Sequence, residues 1–316
     1  MRRIGRQRRK KQKKILIIGS LSLLLFLCVG YAAFSTNISL KAKGNIKDKS
    51  RVIQAWSSTD QTDFHSDYYK ENIVSATFLD NADVPSNATE SWNVSEDKTH
   101  GGVMAWVIPN DEDSTKYDLY IGAQDGVIAN EDSGSLFYDF RTLENINFNN
   151  NFDTSNATQM PYMFGGSSKM SFLDLSDFDT SNVTNMHGMF SAWKTTEQTW
   201  GTSNLSNIIF GENFLTSKVT NMQDMFSGTQ IVSLSLNTFD TSNVTSMFHM
   251  FYLCNKLEIL NICSFNTEKV SNMSGMFQKT TNLKNIYVGS SWTTTQANTS
   301  SMFTNSGISS VTTGQC

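Results

Sequence analysis

The feature that most limits how this chain can fold is a return. Val183-Thr184-Asn185-Met186-His187-Gly188-Met189-Phe190 comes back as Ala157 to Phe164, Val219 to Phe226, Val244 to Phe251 and Val270 to Phe277, with a worn copy ending at Met302-Phe303. Phe-Asp-Thr-Ser stands ahead of several copies, as Phe152 to Ser155, Phe178 to Ser181 and Phe239 to Ser242. The closing residues Phe137, Phe164, Phe190, Phe226, Phe251, Phe277 and Phe303 are spaced 27, 26, 36, 25, 26 and 26 apart, so one insertion explains the single irregular interval. A fixed period of this length marks a repeat architecture, whose units are too small to close a core alone and bury their apolar faces against one another.

Between successive closing phenylalanines lies a second pattern, apolar-x-x-apolar-x-apolar. It is read at Leu143/Ile146/Phe148, Met170/Leu173/Leu175, Leu205/Ile208/Phe210, Ile231/Leu234/Leu236, Leu257/Leu260/Ile262 and Leu283/Ile286/Val288, and Ile308/Val311 begins another. Apolar residues two apart define one face of a strand, so each repeat supplies one strand. In the other half of the repeat the apolar residues fall at i, i+3 and i+6/i+7, as at Val183, Met186, Met189 and Phe190, which predicts one short helix. The Asp-Thr-Ser-Asn corner reads as an Asx or Ser/Thr turn whose side chains satisfy backbone groups in repeat after repeat. A calcium ladder there is at odds with Leu215 at the Asp position.

These repeats, together with Leu173-Asp174-Leu175-Ser176, resemble the BspA-type leucine-rich-repeat surface proteins of bacteria, over about 180 residues. The resemblance implies a leucine-rich-repeat-like right-handed solenoid over 136–316, with one parallel β-strand and one short helix per ~26-residue repeat. The segment before it, with Phe78-Leu79-Asp80-Asn81, Glu90-Ser91-Trp92-Asn93-Val94-Ser95 and Tyr117-Asp118-Leu119-Tyr120-Ile121-Gly122, looks like the one that precedes such repeats in many members. The family implies a secreted or wall-proximal protein that binds other proteins, adhesion being the usual proposal, and carries no catalytic residues to transfer.

Residues 2–14 hold nine Lys or Arg and no acid, and Ile15 to Phe34 then runs 20 residues without a formal charge. At 1.5 Å per residue that crosses a bilayer of roughly 30 Å. The basic flank keeps the N-terminus inside and sends 36–316 out of the cell, whether the segment is retained as a transmembrane helix or cleaved as a signal. Of 25 basic residues 16 remain beyond the flank, against 29 acidic, so the exported part carries about −13 and is a poor nucleic-acid binder. Residues 35–70 read as a polar spacer and 71–135 as a small β-rich cap, with strands expected at Ile73 to Leu79, Val103 to Ile108 and Tyr117 to Ile121.

No phosphate loop, His-Glu-x-x-His or Gly-x-Ser-x-Gly is present, and His65, His100, His187 and His249 show no metal-ligand spacing. No cofactor or metal is expected. His187 and His249, at variable positions of the helical motif, are expected to face solvent. Cys254 and Cys263 flank a strand and should sit near 20 Å apart at ~3.3 Å per residue, and Cys316, two repeats beyond Cys263, near 10 Å at ~4.8 Å per strand, so no intramolecular disulfide is expected.

What remains is a surface. The outward strand positions form one column of Asp174, Ile209, Ser235, Asn261 and Tyr287 and another of Phe172, Asn207, Ile259 and Asn285. Phe172, Ile209, Ile259 and Tyr287 are apolar where the fold does not require it. The insertion Ser191 to Asn204 adds Trp193 and Trp200, residues frequent at binding hot spots. These six are the candidate ligand-binding residues. The expected function is a non-enzymatic, adhesin-like cell-surface protein that presents a rigid repeat surface to a protein or glycan on another cell, host or matrix. A structural envelope stalk or self-associating surface protein is the alternative, and an enzyme with a site in 71–135 a remote one.

Overall fold

A computed structural model describes residues 49–59, 61–194, 199–201, 203–313 and 316. The basic flank and the apolar run 15–34 lie outside the described residues, among which no helix is long and apolar enough to cross a membrane. Residues 48–316 form one compact unit. It is mostly strand and turn, with several parallel sheets and almost no helix: among the described residues, one 3-10 turn at Lys49–Arg51 and one four-residue helix, α1, at Asp67–Lys70.

The strands expected before the repeats are present as β1 (Ile73–Leu79), β3 (Met104–Pro109) and β4 (Tyr117–Gly122), joined by β2 (Glu90–Asn93). They lie in the order β2-β3-β4-β1-β6, where β6 (Asn145–Asn147) belongs to the first repeat and pairs in parallel with β1. The cap and the repeats therefore share a sheet. The stretch read as a polar spacer contributes to the same unit from residue 49 on: Ile53, Phe64 and Tyr69 join the core cluster, anchors too sparse in a polar run to stand out by periodicity.

In the repeats, β8 (Phe172–Leu175) pairs in parallel with β11 (Asn207–Phe210). The strands β12 (Ser233–Ser235), β13 (Ile259–Ile262), β14 (Asn285–Val288) and β15 (Thr312–Thr313) form a four-stranded parallel sheet. Successive repeats also meet through single parallel bridges that run Asp132, Gln159, Asn185, Asn221, Ser246, Asn272, Asn298. Inside, the closing phenylalanines stack in one column from Phe137 to Phe303, with ring centroids 5.4–6.1 Å apart. The corner is the expected one, rebuilt in each repeat. Asp153, Asp179 and Asp240 each accept from the N–H two residues on, while buried Thr154, Thr180, Thr216, Thr241 and Thr267 donate their hydroxyls to a carbonyl of the next repeat.

The short helix per repeat is not there. Val183, Met186, Met189 and Phe190 are buried as its apolar face would be, but the backbone between them is a turn. Two residues before each closing phenylalanine the chain enters the left-handed region, at Ser135, Tyr162, Gly188, Asp224, His249, Gly275 and Ser301, with φ between 52° and 59°. A helix cannot pass such a residue. The N–H groups of Met186, Gly188 and Phe190 donate instead to Asn221, Gln223 and Met225 of the next repeat, while Met189 N–H closes a turn on Met186 O. An i, i+3 apolar spacing suits this turn as well as a helix, which is why the pattern identified the buried face but not the element.

The cysteines also depart from expectation. Cys263 and Cys316 form a disulfide with Cα atoms 5.7 Å apart. Cys263 follows directly on Ile262, whereas Cys316 stands three residues past Thr313, so a distance counted in strands does not apply to it. The residue equivalent to Cys263 in the intervening repeat is Gly289, where a Cβ would lie 2.2 Å from Cys263 O. Cys254 is free and buried, and burial pushes its thiol up to about 11.

Candidate functional site

Strand pairing sets the candidate residues in rows. Phe172 lies opposite Asn207 and Asp174 opposite Ile209, while Ile259 lies opposite Asn285 and Asn261 opposite Tyr287. Along β8 the residues alternate exposed and buried, the period-two pattern that the apolar spacing predicts. Phe172 is 44% exposed, Ile209 41% and Ile259 38%, while Tyr287 is half-buried. The structure thus brings Phe172 and Ile209 together on one two-stranded sheet and Ile259 and Tyr287 together on another. Val232, 52% exposed just before β12, and Leu215 at the corner are apolar surface that the strand spacing does not mark.

Trp193 and Trp200 pair across a small antiparallel ribbon of β9 (Trp193–Lys194) and β10 (Thr199–Trp200), and residues 195–198 and 202 of the insertion lie outside the described residues. The ribbon leaves the repeat three residues after Phe190. Its base packs on the turn side: Trp193 O accepts from the Tyr138 hydroxyl at 3.4 Å, and a Cβ on Gly166 would lie 3.1 Å from the same oxygen.

On the turn side the structure corrects the expectation for His187 and His249. Both are largely buried and flank the buried carboxylate of Asp224 from the repeats on either side. Tyr162 Oη and His187 Nε2 are 2.9 Å apart, His187 Nε2 and Asp224 Oδ2 3.4 Å, and His249 Nδ1 and Asp224 Oδ1 3.7 Å. Burial holds the His249 imidazole below its ordinary value, with Asp224 opposing, and burial keeps the Tyr162 hydroxyl above its own. Spacing in the sequence carries part of this signal. Tyr162, Asp224 and His249 all occupy the left-handed position, so their side chains emerge in one line. Among the described residues no group of three or more His, Cys, Asp or Glu is placed to hold a metal ion.

A third feature is a polar hollow of about 480 Å³ beside β1 and β4, where Asp118 accepts from Ser75 Oγ at 2.5 Å and from Asn110 Nδ2 at 3.1 Å. Its lining includes Lys116, Glu144 and Lys169 and neither histidine nor cysteine. The hydroxyl of Ser75 is thus tied to a carboxylate with no imidazole beside it to act as a base.

The family described as Mycoplasma protein of unknown function, DUF285, matches residues 131–213 and 202–312, more than half of the chain. The chain belongs to this family. The match spans the repeats, and its two parts overlap over 202–213, from the end of the insertion that carries Trp193 and Trp200 into the strand that follows. No curated protein and no solved structure matches the chain. Membership in the DUF285 family thus accounts for the repeats and carries no activity with it.

Proposed function

We propose that this DUF285 member is a non-enzymatic cell-surface binding protein, adhesin-like, whose repeats form a leucine-rich-repeat solenoid of the BspA type. It would be tethered or exported through Ile15–Phe34, and would present its strand face to a protein or glycan on another cell, host or matrix. The observation that carries the reading is the surplus of apolar side chains at Phe172, Ile209 and Ile259, about 40% exposed on strands whose pairing is made by backbone groups. Uncharged surface with aromatics is cheaper to desolvate than the acidic body around it. The Cys263–Cys316 disulfide supports export, since such bonds persist in oxidising compartments.

A pulldown with the full chain from host-cell and neighbouring-cell surface material tests the proposal. A partner retained by the full chain and released on substitution of Phe172, Ile209, Ile259 and Tyr287 supports it. No partner, together with concentration-dependent oligomers, would favour the envelope stalk instead.

A further inference from the structure

The turn side of the repeats carries a hydrogen-bond ladder that points one way. Met247, His249, Phe251 and Leu253 donate their N–H groups to Asn272, Ser274, Met276 and Gln278 of the next repeat. Met273, Gly275, Phe277 and Lys279 in turn donate to Asn298, Ser300, Met302 and Thr304 at 2.8–2.9 Å. Within these rows donors face the C-terminal neighbour and acceptors the N-terminal one, whereas just before them Thr245, Ser271 and Asn298 donate back to the preceding repeat. In the last repeat the equivalent donors are Thr299, Ser301, Phe303 and Asn305, and among the described residues their N–H groups meet no acceptor. Phe303 is also the end of the phenylalanine column, stacked on Phe277 alone. Hollows of about 490 and 440 Å³ open on either side of Met302 and Phe303.

We propose that this end of the repeats is a docking site for a peptide segment of a partner protein, laid on as one more repeat. Such a segment would bring a backbone carbonyl at every second residue for Thr299, Ser301, Phe303 and Asn305, and an apolar, preferably aromatic, side chain to cover Phe303. An exposed row of backbone groups is a template for adding a chain, with main-chain bonds giving affinity and a side-chain pocket giving selectivity. The one-way ladder says which chain fits. Two copies set end to end would face donors with donors. The opposite end, which a second copy would have to offer in a head-to-tail stack, is engaged by the segment before the cap: Leu136 O is 3.1 Å from His65 Nε2, and Phe140 packs on Phe64 and His65. The site is separate from the strand face and does not depend on the function proposed for it.

The test is hydrogen exchange on the full chain in detergent, with a synthetic peptide of residues 266–280 as probe. That segment carries the four carbonyls and Phe277 that serve as the next repeat for Phe251 in the intact protein. Saturating peptide, at about millimolar concentration, is expected to slow exchange across 299–305 at least tenfold. A peptide with Phe277→Ser, which leaves the protein untouched, should bind at least tenfold more weakly. The proposal is overturned if the peptide leaves 299–305 unprotected, or if a scrambled peptide protects equally well. It is also overturned if these amides are already protected without peptide in a concentration-independent way, which would assign the site to a segment of the chain itself. Protection that grows with protein concentration alone would assign it to a second copy and overturn it equally.

Discussion

The strand side and the turn side of these repeats are built from the same stretch of chain, yet they spend their outward residues differently. On the strand side backbone pairing does the joining, and the outward positions vary freely: Phe172 and Asn207 in one sheet and Ser233, Ile259 and Asn285 in another share no demand. On the turn side the outward positions are consumed by the fold. A left-handed residue is required there in every repeat, and its side chain lies against those of the neighbours, as Tyr162, His187, Asp224 and His249 do. The lesson is that variation on the turn side is constrained by structure, whereas variation on the strand side is available to binding.

Both sides rest on the phenylalanine column, so Phe251→Ala should cost about 3–5 kcal/mol, as truncation of a buried aromatic does; a denaturant series that gave under 1 would mean the column is not continuous. Removing the disulfide with Cys263→Ser should cost about 2–4 kcal/mol under oxidising conditions and nothing once the wild type is reduced. On the turn side Gly275→Ala should cost about 1–3 kcal/mol, because it needs φ +59° and its Cβ would meet His249 Cδ2 at 2.4 Å. A neutral outcome would dissolve the contrast between the sides.

The turn side should also respond to pH. Burial holds His249 below its usual 6.5 in the folded protein, so below 6.5 the unfolded chain binds more protons and stability falls as pH falls. His249→Gln should flatten the melting-temperature slope between about pH 7 and about pH 5. An unchanged slope would place the titration elsewhere.

Much of this was legible in the chain. The period, the strands, the buried Met and Phe and the threonine corner all follow from residues that repeat, because a core residue must recur wherever the core does. The turn was misread as a helix because its apolar spacing is shared by both, and the deciding fact is a backbone angle. Only Gly188 and Gly275 betray it in the sequence, since Tyr162, Asp224, His249 and Ser301 adopt the same angle without being glycine. The disulfide has no signal in the repeat spacing, because Cys316 lies three residues past the last strand. Of the candidate site, the alternation that turns Phe172, Ile209 and Ile259 outward was readable, whereas the turn-side packing of the Trp193 ribbon lies across repeats and has no local signal.

The smallest expected effect on stability carries the most weight. Serine at Phe172, Ile209, Ile259 and Tyr287 together should shift the melting temperature by only about 2–4 °C, as exposed substitutions do. Binding of this fourfold variant to immobilised host-cell surface extract, measured beside the wild type at equal concentration, is the most direct test of the claim that the strand face is the binding surface. The account predicts a loss of at least tenfold with the fold intact. Undiminished binding, or a loss that merely tracks unfolding, would contradict it.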